Sequence, residues 1–244
     1  MIRLAAVGDI HLGTESAGVL RPAFETLGAC ADALLLAGDL TRHGTTEEAN
    51  VVRQELAGLP VPVIAVLGNH DYHDNHQTRI SSLLTDSGVI VLECSHTCFV
   101  VDGVKVGVAG TKGFGGGFAG RSAGLFGEPE MKAFVRRSRQ CAAGLKSSLD
   151  RLADEQCAVR IALTHYAPVP ETLAGEPPEI YPFLGSYLLA EAMDEARADL
   201  AIHGHAHQGS EHGMTSGGVR VRNVAQPVID RAFAVYQLPT PPAG

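Results

Sequence analysis

The sequence predicts an α/β fold, and three observations carry that expectation. Short apolar runs of strand type alternate with segments of helical periodicity through the first 90 residues, the pattern of parallel βα units. Five apolar runs along the chain end in aspartate, asparagine or histidine, most often at a glycine, and in α/β sheets the strand ends are where ligands bind. The chain has 244 residues and 45% hydrophobic content, enough for a sizeable core. No Pro/Ser-rich linker or charge run divides it, so the expectation is one domain over residues 1–244.

The first strand is read over 3–7 and runs into Gly8-Asp9-Ile10-His11. Residues two apart on an extended backbone point to the same side, so Asp9 and His11 can reach one ion together. The run Leu34-Leu35-Leu36-Ala37 is the second strand, after which Gly38 lets the chain turn and Asp39 leaves the sheet. Thr45-Thr46-Glu47-Glu48 reads as a capping box, with Ala49, Val52, Leu56 and Leu59 following at helical spacing. Residues 61–67 form a buried strand whose C-terminal loop is Gly68-Asn69-His70-Asp71. These four residues combine a metal-type ligand, an acid/base group and a carboxylate able to orient it.

A helix over 76–87 buries Ile80, Leu83 and Leu84 and stops at Gly88. The runs 97–101 and 104–109, split by Asp102-Gly103, predict a hairpin, so the sheet turns antiparallel in places. The glycine-rich segment from Gly113 to Gly120 raises the question of a phosphate cradle. It lacks the GxxxxGK[ST] order and a helix directly behind it, and reads as a mobile or close-packed loop. Residues 129–155 are mostly helical, with Met131, Phe134, Val135, Leu145, Leu149 and Leu152 as apolar positions and Arg136, Arg137 and Arg139 on a solvated face. The strand 160–163 ends in Thr164-His165, and the Pro-rich loop 168–182 could wall the site. A helix over 184–197 precedes the strand that ends in His203-Gly204-His205-Ala206-His207. His205 and His207 repeat the spacing of Asp9 and His11, whereas His203 lies inside the strand and reads as structural. Residues 219–225 and 232–238 look like closing strands, followed by a Pro-rich tail from Pro239.

Composition narrows the class. The formal charge is −8, from 19 Lys and Arg against 27 Asp and Glu, which speaks against broad binding to nucleic acid or anionic membrane. No apolar run approaches the ~18 residues of a membrane span, and no basic segment followed by an apolar one opens the chain, so a soluble, cytoplasmic protein is expected. Five cysteines without a CxxC pair read as unpaired thiols, Cys94 and Cys98 being the only close pair. A homodimer is compatible with the sequence, but nothing in it selects a surface.

Taken in order, Asp9-x-His11, Gly38-Asp39, Gly68-Asn69-His70-Asp71, His165 and Gly204-His205-x-His207 resemble the calcineurin-like metallophosphoesterase family across residues 8–207. The resemblance implies a four-layer α/β/β/α sandwich, two mixed sheets flanked by helices, with a two-metal site at the strand ends. Asp9, His11 and His207 would hold one ion, Asn69, His165 and His205 the second, and Asp39 would bridge them. Carboxylate and amide oxygens mixed with imidazoles, and no thiolate, suit Mn, Fe or Zn. A hydroxide of lowered pKa shared by the ions would attack phosphorus in line. His70 would serve as general acid, with Asp71 or another carboxylate holding its ring. Two divalent ions bring about +4, from which Asp9, Asp39 and hydroxide remove three, leaving a site of about +1 that attracts a small phosphoester.

The segment Gly38-Asp39-Leu40-Thr41 is similar to the cyclic-nucleotide phosphodiesterase branch, so phosphodiesters are the expected substrates, with cyclic nucleotides among them. Three alternatives stand beside this reading: a phosphomonoesterase, a non-catalytic scaffold, and a nuclease. Asp9-Ile10-His11-Leu12-Gly13 resembles the start of DNA-repair nucleases of the superfamily, but their basic, DNA-binding addition is not read here.

Overall fold

The computed structural model describes residues 1–240, so positions 241–244 of the expected Pro-rich tail lie outside the described residues. Strands β1 (Ile2–Val7), β2 (Ala33–Ala37), β3 (Val63–Val66) and the short β4 (Ile90–Val91) run parallel in that order. The hairpin of β5 (Ser95–Val101) and β6 (Val104–Thr111) opens a second sheet, and β7 (Gly117–Phe118) pairs with β8 (Arg121–Ser122) apart from it. Strands β9 (Val159–Thr164), β10 (Leu200–His203), β11 (His212–Met214) and β12 (Arg220–Asn223) complete that sheet in the order β11-β12-β10-β9-β6-β5. Its four middle strands are parallel and its two edges antiparallel. Finally β13 (Ala234–Leu238) returns to pair antiparallel with β1, Ile2 facing Leu238, so both large sheets are mixed.

Central parallel strands are covered on both faces and therefore read as continuous apolar runs. Every residue of β2 is buried, and the period of two sorts its side chains. Leu35, with Leu4, Ala6, Ile64 and Val66, faces Val106, Val108, Ile161, Leu163 and Ile202 of the other sheet. Leu34 and Leu36, with Ala5, Val7 and Ala65, face the helices Thr46–Leu56 and Gln77–Thr85. On the far side of the second sheet, Ala109, Ala162 and Ala201 pack under Leu145, Leu149 and Leu152 of the helix Pro129–Asp154 and Leu189 and Met193 of the helix Tyr187–Glu195. Three apolar interfaces between four layers give the α/β/β/α sandwich that the resemblance implied.

Helix ends follow local chemistry. The capping box is closed from both sides, Thr45 Oγ1 accepting from the Glu48 N–H at 3.2 Å and Glu48 Oε2 from the Thr45 N–H at 3.3 Å. That helix ends before Leu59. The helix expected over 184–197 runs only over Tyr187–Glu195, because Leu184 closes a separate short helix, Tyr181–Leu184, and Ser186 caps the longer one by accepting from the Leu188 N–H at 3.3 Å.

The glycine-rich loop is close-packed. A Cβ at Gly115 would lie 2.5 Å from the Pro182 carbonyl oxygen. The N–H of Gly116 donates to the same oxygen at 2.7 Å and that of Gly117 to the Gly185 carbonyl at 3.0 Å. All five cysteines are free, and the spatial pair is not the one closest in sequence: Cys98 Sγ lies 3.0 Å from Cys157 Sγ. No helix among the described residues is long and apolar enough to cross a membrane.

Candidate active site

The ends of β1, β2 and β3 in one sheet meet the ends of β9 and β10 in the other. The crossing is tight enough to specify glycine. A Cβ on Gly68 would fall 2.0 Å from Asp39 Oδ1, and one on Gly204 would fall 2.2 Å from Asp9 Oδ2. The residues beside these glycines carry unusual backbone. Asp9 (φ 57), His11 (φ 41), Asp39 (φ 50) and His205 (φ 72) all sit in the left-handed region, which costs a non-glycine residue about 1–2 kcal/mol. Four of the ten left-handed non-glycine residues among the described residues therefore fall at these strand ends, and such strain is often stored at functional sites.

Three groups of side chains converge there, each with donor atoms within 4.8 Å of one another: Asp9, His11 and His207; His11, Asp39 and His70; Asp39, His165 and His205. The Asp9 carboxylate accepts from His207 Nε2 at 2.9 Å and from the His205 N–H at 2.9 Å. His11 Nε2 lies 3.5 Å from His207 Nε2. Asp39, 1% exposed, turns its two oxygens to different sides. Oδ1 faces His165 Nε2 at 3.4 Å, while Oδ2 faces His11 Nε2 at 3.8 Å and His70 Nε2 at 3.9 Å. Asn69 joins the second side, its Oδ1 2.9 Å from His165 Nε2.

The donor set asks for cations. His165 Nδ1–H donates to the Ala37 carbonyl at 2.9 Å, which turns Nε2, the ring's remaining ligand atom, toward Asn69 Oδ1 and Asp39 Oδ1. Acceptors converging on acceptors need a positive centre between them. Burial pulls His11 down to about 4 and His205 to about 3, so both rings are neutral at ordinary pH and keep a lone pair free. Burial also pushes the Asp39 carboxyl above the usual range, with the Asp9 charge adding to it and His165 opposing. For Asp9, burial is outweighed by the His207 hydrogen bond and the nearby imidazoles, so its carboxyl lies below the usual range. The same hydrogen bond raises His207. A cation on either side of Asp39 would relieve the crowding of acceptors and the buried negative charge together.

Every residue read from the sequence as a site candidate lies at or beside this convergence, but Asp71 does something other than expected. It is fully buried and does not hold the His70 ring. Its oxygens accept from the N–H groups of Gly68 (2.8 Å), Leu40 (3.2 Å) and Thr41 (2.8 Å) and from the Thr41 hydroxyl (2.6 Å). The His70 ring is held instead by the Arg42 carbonyl, 2.7 Å from Nδ1, which leaves Nε2 facing the site. His203 is structural, as read: it is buried, with Nε2 2.8 Å from Thr172 Oγ1. Past the end of the loop 168–182, the Phe183 carbonyl, in the helix Tyr181–Leu184, stands 3.4 Å from His205 Nε2. Sequence reasoning missed Tyr166, whose ring lies 4.4 Å from that of His205. Its place directly after His165 was the available signal.

A profile described as calcineurin-like phosphoesterase matches residues 2–209. The chain belongs to this family. Phosphoester hydrolysis dependent on metal is the activity that membership supports. Solved structures share the fold at low identity. The phosphopantetheinyl hydrolase PptH of Mycobacterium tuberculosis is 18% identical at a TM-score of 0.64, covering 92% of this chain and 89% of that one. A Staphylococcus aureus protein described as a "putative 5′-nucleotidase" is 14% identical at 0.59, covering 91% of this chain and 48% of that longer one. GAP50 of Plasmodium, described as the anchor in the inner membrane complex, is 14% identical at 0.59, covering 93% and 72%. Among curated proteins no sequence matches.

Proposed function

We propose that this member of the family is a two-metal phosphodiesterase, with cyclic nucleotides among its candidate substrates. In this reading Asp9, His11 and His207 hold one ion, Asn69, His165 and His205 the other, and Asp39 is shared. The observation that carries it is the splayed Asp39 carboxylate, one oxygen toward each cluster. Mn, Fe and Zn suit the mixed oxygen and imidazole donors. When bound, such ions polarise the phosphoryl oxygens and lower the pKa of a water.

The chain's own residues supply the rest. Asp39 fixes the spacing of the two halves, and the Ala37 carbonyl fixes the His165 tautomer. His70, held through Nδ1 by the Arg42 carbonyl, turns Nε2 toward the site, from where it would donate a proton to the leaving oxygen. A site of about +1 matches the single charge of a phosphodiester. A scaffold would have shed some of these donors, and none is missing. The five free thiols fit a reducing compartment, and we place the protein in the cytoplasm.

The deciding experiment compares a nitrophenyl monoester with bis(nitrophenyl) phosphate, using protein loaded with Mn, Fe or Zn at fixed pH. The diester is expected to be cleaved at least as fast. Much faster cleavage of the monoester would make the enzyme a monoesterase, and cleavage of neither would favour a scaffold.

A further inference from the structure

Lys112, directly after β6, is 5% exposed, yet among the described residues no carboxylate or carbonyl hydrogen-bonds its Nζ. The neighbouring acid, Glu93, is engaged elsewhere. It accepts from the Lys112 backbone N–H at 2.8 Å, the Thr111 hydroxyl at 3.2 Å and Arg137 at 3.3 Å. Three aromatic rings surround the ammonium instead, their centroids 4.9 Å (Tyr72), 4.9 Å (Tyr166) and 5.2 Å (Phe114) from Nζ. Aromatic faces hold a cation in place without neutralising it. A buried charge is normally paired, so an ammonium with no direct ion pair among the described residues, only the more distant carboxylates of Glu93 and Asp39, is unusual. Nor is it sealed in. Among the described residues the one fully buried side-chain N or O atom without a partner is Gln77 Oε1, so the unpartnered Nζ must retain contact with solvent.

The cage is built from the active-site loops. The Lys112 carbonyl accepts the N–H groups of His165 at 3.0 Å and Tyr166 at 3.1 Å. Tyr166 stacks against His205, and Tyr72 lies three residues after Asn69. The free cation therefore stands beside the Asn69, His165 and His205 half of the site. We propose that Lys112 is a specificity residue that binds a second phosphate of the substrate, so that the preferred substrate is a phosphodiester carrying a further phosphate on one substituent. This rests on the phosphodiesterase reading above. An ammonium pairing with a phosphate brought in by the substrate makes a charge-assisted hydrogen bond that a neutral substituent cannot make.

The test uses a matched pair, thymidine 5′-(nitrophenyl phosphate) with and without a 3′-phosphate, on the Mn-loaded protein. The wild type is expected to favour the bisphosphate in kcat/KM by about tenfold to a hundredfold, the worth of a hydrogen bond to a charged group. Lys112→Met, which keeps the stem among the rings, should bring that ratio to about one, and Lys112→Arg should keep it. Equal losses on both esters would assign Lys112 to structure, and an unchanged ratio in Lys112→Met would also overturn the proposal. Binding of thymidine 3′,5′-bisphosphate against the 5′-monophosphate, read by calorimetry on the same variants, gives the ratio without turnover. If neither ester is hydrolysed but this binding preference exists and disappears in Lys112→Met, the phosphodiesterase reading fails while the second-phosphate site stands. Absence of any preference in binding removes the site.

Discussion

At the scale of single residues, the proposed mechanism gives Asp39 the task of holding ions and His70 that of moving a proton. Removing the Asp39 carboxylate leaves two cations facing each other with no shared anion, and their repulsion is largest at short range. Asp39→Ala is expected to bind neither ion at stoichiometric level. Several kcal/mol of transition-state stabilisation depend on the metals, so at about 1.4 kcal/mol per decade the loss in kcat/KM is about a thousandfold or more. The fold should persist, since burial opposes the ionised carboxyl, and the costs are confined to the His70 N–H that Asp39 Oδ1 accepts at 2.8 Å and to alanine's poorer tolerance of φ 50. Two metals per chain with near-normal turnover would refute the shared role. His70→Gln, by contrast, should keep both ions. Its rate should drop by about a hundredfold to ten-thousandfold on alkyl or ribose esters and by less on nitrophenyl esters, whose phenolate leaves without a proton. Equal loss on both ester types would point to stabilisation of phosphoryl charge instead.

At the scale of elements, Asp71 is the staple between two loops. One carboxylate ties the backbone after Asp39 to the turn that presents Asn69 and His70. Asp71→Asn replaces one acceptor by an NH2 group pointed at backbone donors. An expected loss of about 1–3 kcal/mol in urea unfolding follows from the orphaned N–H groups, with metal affinity falling about tenfold to a hundredfold. Unchanged affinity for both ions would show that the loops hold their own shape. The sequence placed Asp71 in the site because it adjoins His70, but adjacency along a tight turn does not say where a side chain points. Long periodic elements were legible for a simpler reason, as in Pro129–Asp154, where Leu145, Leu149 and Leu152 line one helical face. β4, β7, β8 and β11 were not, because each has only two or three residues and its partner, not its own pattern, defines it.

At the scale of the whole molecule, the site is a seam between two sheets. Asp9, His11, Asp39 and Asn69 leave one sheet, and His165, His205 and His207 leave the other. All of them were legible as polar residues ending apolar runs, because parallel strands share a direction and so bring their C-terminal ends to one rim. The Lys112 cage was not legible, since Tyr72, Phe114 and Tyr166 meet only through the crossing of loops from both sheets. The seam also gives the two clusters different responses to acid. Protons compete with a metal through the pKa values of the free site, because a protonated imidazole offers no lone pair. His205, held down to about 3, refuses a proton across the whole range from its ordinary 6.5 to that value, and His11 does so down to about 4. Their folded values lie below the unfolded one, so the folding stability they contribute is present above about 6.5 and is lost as pH falls toward about 3–4. His207 has the opposite sign. Its folded value is raised by Asp9, so it takes up a proton above 6.5 and its contribution to folding fades as pH rises. As pH falls from 7.5 to 5.5, an ion bound, as proposed, by Asp9, His11 and His207 is therefore expected to weaken first, while the donors His205 and Asn69 of the other cluster remain available. Metal content per chain, measured after equilibrium dialysis at a series of pH values, should step from two to one before it reaches zero, and His207→Asn should leave one ion whose retention no longer shows the upper step. Simultaneous release of both ions in a single transition, the same in wild type and His207→Asn, would contradict it.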